Sequence, residues 1–87
     1  MRLAIVGTGN MARAHARAFS DLKGVEIVGV AGRSNESLEN FGNEFKIEHK
    51  HTSIKSLYRT TQADLVVIAV DIDQTSEILL SCAEYPW

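Results

Sequence analysis

Gly7, Gly9 and Ala12 stand in the order G-x-G-x-x-A, and Thr8, Asn10 and Met11 complete the run GTGNMA. RLAIV at 2–6, short, apolar and β-prone, leads straight into it. That is a strand breaking into a tight glycine turn that opens a helix, the order in which a pyrophosphate is received. Each position has its own physical reason. Gly7 permits the sharp turn off the strand end, and Gly9, lacking a Cβ, lets backbone approach an anion. Ala12 is small enough for the new helix to pack close to the sheet. The free N–H groups at the helix start, on the positive end of its dipole, favour the bound charge.

A second candidate position follows the next apolar run, VEIVGVA at 25–31. A unit that binds NAD commonly carries Asp or Glu at this strand end, to hold the ribose hydroxyls of the adenosine. Here the chain reads Gly32, Arg33, Ser34. A carboxylate would repel a 2′-phosphate, whereas a guanidinium binds one with paired charge-assisted hydrogen bonds. Arg33 and Ser34 therefore favour NADP over NAD as cofactor. The plainer alternative makes Ser34 the N-cap of the next helix and Arg33 a solvated charge. A third position is the end of DLVVIAV at 64–70, where Val70, Asp71 and Ile72 lead towards a last helix.

Other reactive side chains read more simply. His15 falls on the inner stripe of the first helix and is expected to be half-buried rather than a ligand. His49 and His51 alternate with lysine, as in an edge strand or loop, and two histidines without a third ligand make a poor metal site. Cys82 has no activating partner in sight and reads as a small core residue. No residue is assigned a catalytic or metal-binding role.

Hydrophobic periodicity supplies the elements that would position these groups. A first helix is expected over 10–22, with Ala12, His15, Ala16, Phe19 and Leu22 inward, Arg13 and Arg17 outward, and Lys23 and Gly24 ending it. The second strand spans 25–31 and a second helix 34–45, with Leu38, Phe41 and Phe45 as its apolar stripe. A short third strand is expected over 49–52. Ser53 then caps a helix over 54–59 with Leu57 inward, and 60–63 forms a polar connection. The strand at 64–70 is apolar on both faces, as a covered parallel strand should be. Asp73 is a good N-cap for a last helix whose inner stripe is Thr75, Ile78, Leu79 and Cys82, stopped by Pro86.

Alternation of strand and helix with right-handed crossovers predicts an α/β, doubly wound parallel sheet of four strands in the order 3-2-1-4. Residues 7–11 and 70–74 then meet at the switch point between strands 1 and 4, where a dinucleotide would lie. At 87 residues this is one small domain. The net charge of −2 offers no basic field for nucleic acid or an anionic membrane. With a single cysteine there is no internal disulfide. No apolar stretch reaches the length of a membrane helix, and the opening run is too short for a signal segment, so a cytoplasmic chain is expected.

RLAIVGTGNMARAHARAF, GVEIVGVAGRS and ADLVVIAV together resemble the N-terminal domain of the glucose–fructose oxidoreductase / inositol dehydrogenase (Gfo/Idh/MocA) family, over nearly the whole chain. The resemblance implies a two-domain enzyme using NAD or NADP on sugars, polyols and similar small molecules. After its fourth strand that family shows Thr-Pro-Asn and then a histidine. This chain has neither the proline nor the histidine over 70–75, which leaves cofactor contacts there to backbone groups of Val70, Asp71 and Ile72. The family's Glu-Lys-Pro motif and its substrate-binding domain would fall beyond Trp87. Residues 1–87 are therefore expected to be a dinucleotide-binding fragment, with a small-molecule substrate met only in a longer parent. As such a fragment it is expected to pair through the edge of strand 4 or to form a homo-oligomer.

Two other readings stand beside this one. GTGNMA and GRS also resemble the opening of pyrroline-carboxylate reductases, although those carry Lys-Pro where Asp71 and Ile72 stand. A non-catalytic module that binds NADP as a sensor fits the same residues. A methyltransferase would want an acidic residue where Gly32 and Arg33 are.

Overall fold

The computed structural model describes residues 1–70 and 72–87, and at 72 and 73 the backbone alone. The elements are β1 (Arg2–Val6), α1 (Asn10–Ser20), β2 (Glu26–Ala31), α2 (Asn35–Phe45), β3 (His49–His51), α3 (Ile54–Thr61), β4 (Leu65–Ile68) and α4 (Ile72–Ala83). The strands form one sheet in the expected order β3-β2-β1-β4, and every pairing is parallel.

β1 lies between β2 and β4, and its alternating side chains feed two cores. Leu3 and Ile5 enter one with Ala12 and Ala16 of α1 and Leu38 and Phe41 of α2. Ala4 and Val6 enter the other with Leu57 of α3 and Cys82 of α4. Each fully buried Leu or Ile contributes about 1.5–3 kcal/mol of transfer free energy. A bulge between Leu3 and Ala4 skips Val28 in the β1–β2 register, so Gly29 pairs with Ala4. Gly29 is thereby set beneath α3, where a Cβ would come within 2.6 Å of a Leu57 methyl and 2.8 Å of a Thr61 methyl. The absent side chain lets α3 lie close on the sheet.

Local chemistry sets the helix starts. Ser34 Oγ accepts from the Ser37 N–H at 3.3 Å, and Ser53 Oγ accepts from the Ser56 N–H at 3.1 Å. These satisfy first-turn donors of α2 and α3, as expected of serine at both positions. On the outer surface Glu44 of α2 pairs with Arg13 at 3.0 Å and Arg17 at 3.3 Å on α1. The two arginines thus face away from the sheet yet link neighbouring helices.

Several expected boundaries shift. α1 ends at Ser20, the chain turns, and Leu22 stands 52% exposed rather than inward. α3 runs on to Thr61, which is buried because its hydroxyl donates back to the Leu57 carbonyl at 2.8 Å. That local bond lets a polar residue end the inner stripe where a loop was expected. β4 covers only 65–68 and borders the sheet, so its side chains are half-buried or exposed rather than covered on both faces. α4 begins at Ile72, placing Asp73 inside its first turn rather than at the cap. Because α4 packs at the sheet margin through Ile78 and Cys82, its buried stripe is narrow. Leu79 falls outside that stripe at 55% exposure.

Past α4, the Trp87 indole N–H donates to the Cys82 carbonyl at 2.7 Å. Its ring meets Tyr58 edge-on with centroids 4.8 Å apart, while Tyr58 stacks on Tyr85 at 5.1 Å. These rings tie the end of the chain to α3. We expect Leu57→Ala to lower unfolding free energy by about 2–5 kcal/mol and Leu79→Ala to change it by under about 0.5 kcal/mol, read from urea denaturation.

Candidate functional site

The carboxyl ends of β1, β2 and β4 converge on a cleft of about 560 Å³, within the usual size of a small-molecule site. The chain passes from β1 to α1 along its floor. The Gly7 N–H donates to the Ala31 carbonyl at 2.8 Å, and the Ala69 N–H donates to the Val6 carbonyl at 2.8 Å. The turn is thus held between β2 on one side and the end of β4 on the other. Gly7 has φ +122°, and a Cβ there would lie 2.1 Å from the Ala69 carbonyl oxygen. No L side chain fits such a place.

Gly9 is different. It stands at the N-cap of α1 with φ −84°, exposed, and a Cβ would meet nothing within 4 Å. The protein itself makes no steric demand for glycine there. No side chain caps α1, in contrast to α2 and α3. The first-turn N–H groups of Asn10 and Met11, without intrahelical partners by helix geometry, therefore open on the cleft that both residues line. Thr8 is drawn against the end of β2, where a Cβ on Gly32 would come 2.9 Å from its methyl.

Across the cleft lie Arg33 and Ser34, exposed, with Ser37 in the first turn of α2. Among the described residues no carboxylate forms an ion pair with Arg33. Gly7, Thr8, Gly9, Asn10, Met11, Arg33, Ser34 and Val70 all border this single space. Asp71 lies outside the described residues, and Ile72 is described only as the backbone that opens α4. Gln74, expected at the switch point, lines the cleft, and further residues that the sequence reading left out also reach it, among them Ser37 on α2, Thr52 and Ile54 around the start of α3, and Glu77 and Ile78 on α4. The spacing 74, 77, 78 was a usable signal, since i, i+3 and i+4 share one helix face.

The histidines lie elsewhere. His15 is half-buried on α1 with its ring 6.4 Å from that of Phe19. His49 and His51 occupy the edge strand β3, their rings stacked at 6.4 Å, and His51 Nε2 is buried without a hydrogen-bond partner among the described residues. No group of three potential metal ligands occurs among the described residues. Burial, and then the neighbouring His49, push the His51 pKa down, and burial pushes the Cys82 thiol up, away from a reactive thiolate. Nor, among the described residues, is any helix long and apolar enough to cross a membrane.

Residues 1–85 match the Gfo/Idh/MocA model, described as an oxidoreductase family with an NAD-binding Rossmann fold. The chain is 33% identical over 66 residues to D-apiose dehydrogenase of Paraburkholderia graminis, a match covering 76% of this chain and 18% of that enzyme. It is 41% identical over 44 residues to glucose-6-phosphate 3-dehydrogenase of Bacillus subtilis, covering 51% of this chain and 13% of that one. The crystal structure of an oxidoreductase from Agrobacterium radiobacter in complex with NAD+, L-tartaric acid and magnesium superposes with a TM-score of 0.87 at 25% identity. That match covers 97% of this chain and 25% of the other, so the chain spans a quarter or less of the length of these relatives.

Two measurements follow from this geometry. Gly7→Ala should cost about 3 kcal/mol of stability, from a positive φ and a backbone clash together, whereas Gly9→Ala should cost less than about 1 kcal/mol. Chemical denaturation of the two variants gives the comparison. For His51, the folded pKa lies below the ordinary 6.5, so below that pH the unfolded chain binds more protons than the folded one. Stability should accordingly fall as pH drops through the ordinary histidine range, and His51→Gln should flatten that slope in denaturation curves taken between pH 7.5 and about 5.

Proposed function

This chain belongs to the Gfo/Idh/MocA oxidoreductase family, and on that footing we propose that its cleft binds a nicotinamide dinucleotide, as the cofactor-holding part of an enzyme that moves hydride to or from a sugar, polyol or similar small substrate. The family assignment takes the place of the resemblance to pyrroline-carboxylate reductases. The observation that carries the proposal is the uncapped start of α1 facing the cleft behind Gly9, a glycine that the fold itself does not need. An anion there would receive the Asn10 and Met11 amides, and close approach of a pyrophosphate would explain the missing Cβ.

In this reading Gly7 holds the turn open, Thr8 packs it on β2, and Gly9, Asn10 and Met11 receive the pyrophosphate. Val70 lines the cleft beside the end of β4, and the cofactor contacts on that side are assigned to Val70, Asp71 and Ile72. Arg33 and Ser34 hold a 2′-phosphate, which makes NADP the preferred cofactor and NAD the weaker one. Support for that preference comes from an exposed guanidinium at the end of β2 and from Gly32 standing where a carboxylate would serve NAD. Ser34 already caps α2, and its hydroxyl keeps a proton to donate.

When bound, the nicotinamide supplies the hydride chemistry. The residues of this chain bind and orient the dinucleotide, and none of them is assigned a substrate contact or a proton transfer. Sugar-type substrates are suggested by the two dehydrogenases to which the chain is similar. Fluorescence titration should show saturable binding with NADPH tighter than NADH. Arg33→Ala should weaken NADPH about tenfold or more, the worth of one charge-assisted contact, while leaving NADH nearly unchanged. Equal affinity for both cofactors would overturn the NADP preference, and no binding of either would overturn the cofactor assignment.

A further inference from the structure

The cleft has two chemically different ends. One is polar, with the α1 amides, Arg33, Ser34 and Ser37. The other is walled by Ile54, Val70 and Ile78, which are half-buried, line the cleft and pack against the same apolar cluster beneath it. Gln74 and Glu77 of α4 line this end too, on the helix face that carries Ile78. Among the described residues Glu77 pairs with no cation. A carboxylate beside apolar walls, with no cation paired to it among the described residues, suits a flat ring that offers an N–H donor along its edge.

We infer that this end reads the purine base of the dinucleotide and that Glu77 selects adenine by accepting a hydrogen bond from its 6-amino group. The inference rests on the cofactor reading above and extends it to a specificity residue. The three apolar residues bury the faces of the ring, a contact that any purine would make. Discrimination falls to the edge. Adenine carries a donor at position 6 beside an acceptor at N1, while hypoxanthine carries a carbonyl oxygen at 6 beside an N1–H donor, so a Glu77 oxygen placed to accept from the 6-amino group would face a carbonyl oxygen with no proton between them. The Gln74 amide, with donor and acceptor both, serves the remaining edge positions.

The test compares NADPH with reduced nicotinamide hypoxanthine dinucleotide phosphate by fluorescence titration of the full 87-residue chain and of Glu77→Gln. The two ligands differ only along one edge, where the 6-amino donor and N1 acceptor of adenine become a 6-carbonyl acceptor and an N1–H donor. The native chain should hold NADPH about tenfold more tightly, the worth of one hydrogen bond to a charged acceptor. In Glu77→Gln the amide can rotate to donate to the carbonyl, so the ratio should fall to about one. Glu77 is exposed, and the variant should keep the native unfolding midpoint. Equal affinities for the native chain, or an unchanged ratio in Glu77→Gln, would overturn the assignment of Glu77 and leave the cofactor reading standing. Failure of both ligands to bind would overturn the two together.

Discussion

The bond from the Gly7 N–H to the Ala31 carbonyl, made while the Gly7 Cα lies against the Ala69 carbonyl, is the constraint on which the rest depends. It fixes the end of the central strand between its two neighbours. It also decides where the chain leaves the sheet and hence where α1 begins. Because the turn cannot hold a side chain, the ends of β1, β2 and β4 close up beneath it, and the space they leave becomes the floor of the cleft. A helix starting from that floor points its unsatisfied amides into the cleft without any further device. Stability and binding capacity thus meet at one residue, whereas Gly9, two positions on, bears only on what enters the cleft.

The remainder of the architecture serves to hold that turn still. β1 is buried throughout its middle because both faces are covered, by α1 and α2 on one side and by α3 and α4 on the other. Small residues do much of the work of close approach. Ala12 and Ala16 bring α1 onto the sheet, and Gly29 does the same for α3. The polar additions are modest and local: the serine caps, the Arg13–Glu44–Arg17 cluster, and the Thr61 hydroxyl folded back onto its own helix. Exposed ion pairs of this kind contribute little to stability, so they register neighbouring helices more than they hold the fold together.

Much of this was legible in the residues. The glycine turn, the two serine caps and the parallel order of the sheet follow from residue type and period, because each depends on contacts within a few positions or on the handedness of the crossover, whereas the burial expected on both faces of the strand at 64–70 belongs to β1 instead. Arg33 and Ser34 could be placed at the cleft for the same reason, as the end of a strand in a known order. What went astray lay at margins. Leu22 and Leu79 have the right spacing to face inward, yet one lies past the end of its helix and the other on a helix that buries a narrow stripe. Thr60 and Thr61 read as a loop because a hydroxyl's local bond to the preceding turn leaves no mark in the hydrophobic pattern.

The sequence by itself determined the order of the elements, the turn that must be glycine and the residue types brought to the strand ends, since these are consequences of backbone sterics and short-range periodicity. Only the tertiary structure decided which side chains share the cleft. Thr52 and Ile54 come from one segment and Glu77 and Ile78 from another, far apart in the chain, and their meeting depends on the packing of α3 and α4 on the second face of the sheet. It likewise decided that Gly7 serves the fold while Gly9 leaves room, a distinction set by the Ala69 carbonyl, 62 residues away along the chain from the one and out of reach of the other. Spacing alone treats the two glycines as equals, and only the neighbours that packing supplies tell them apart.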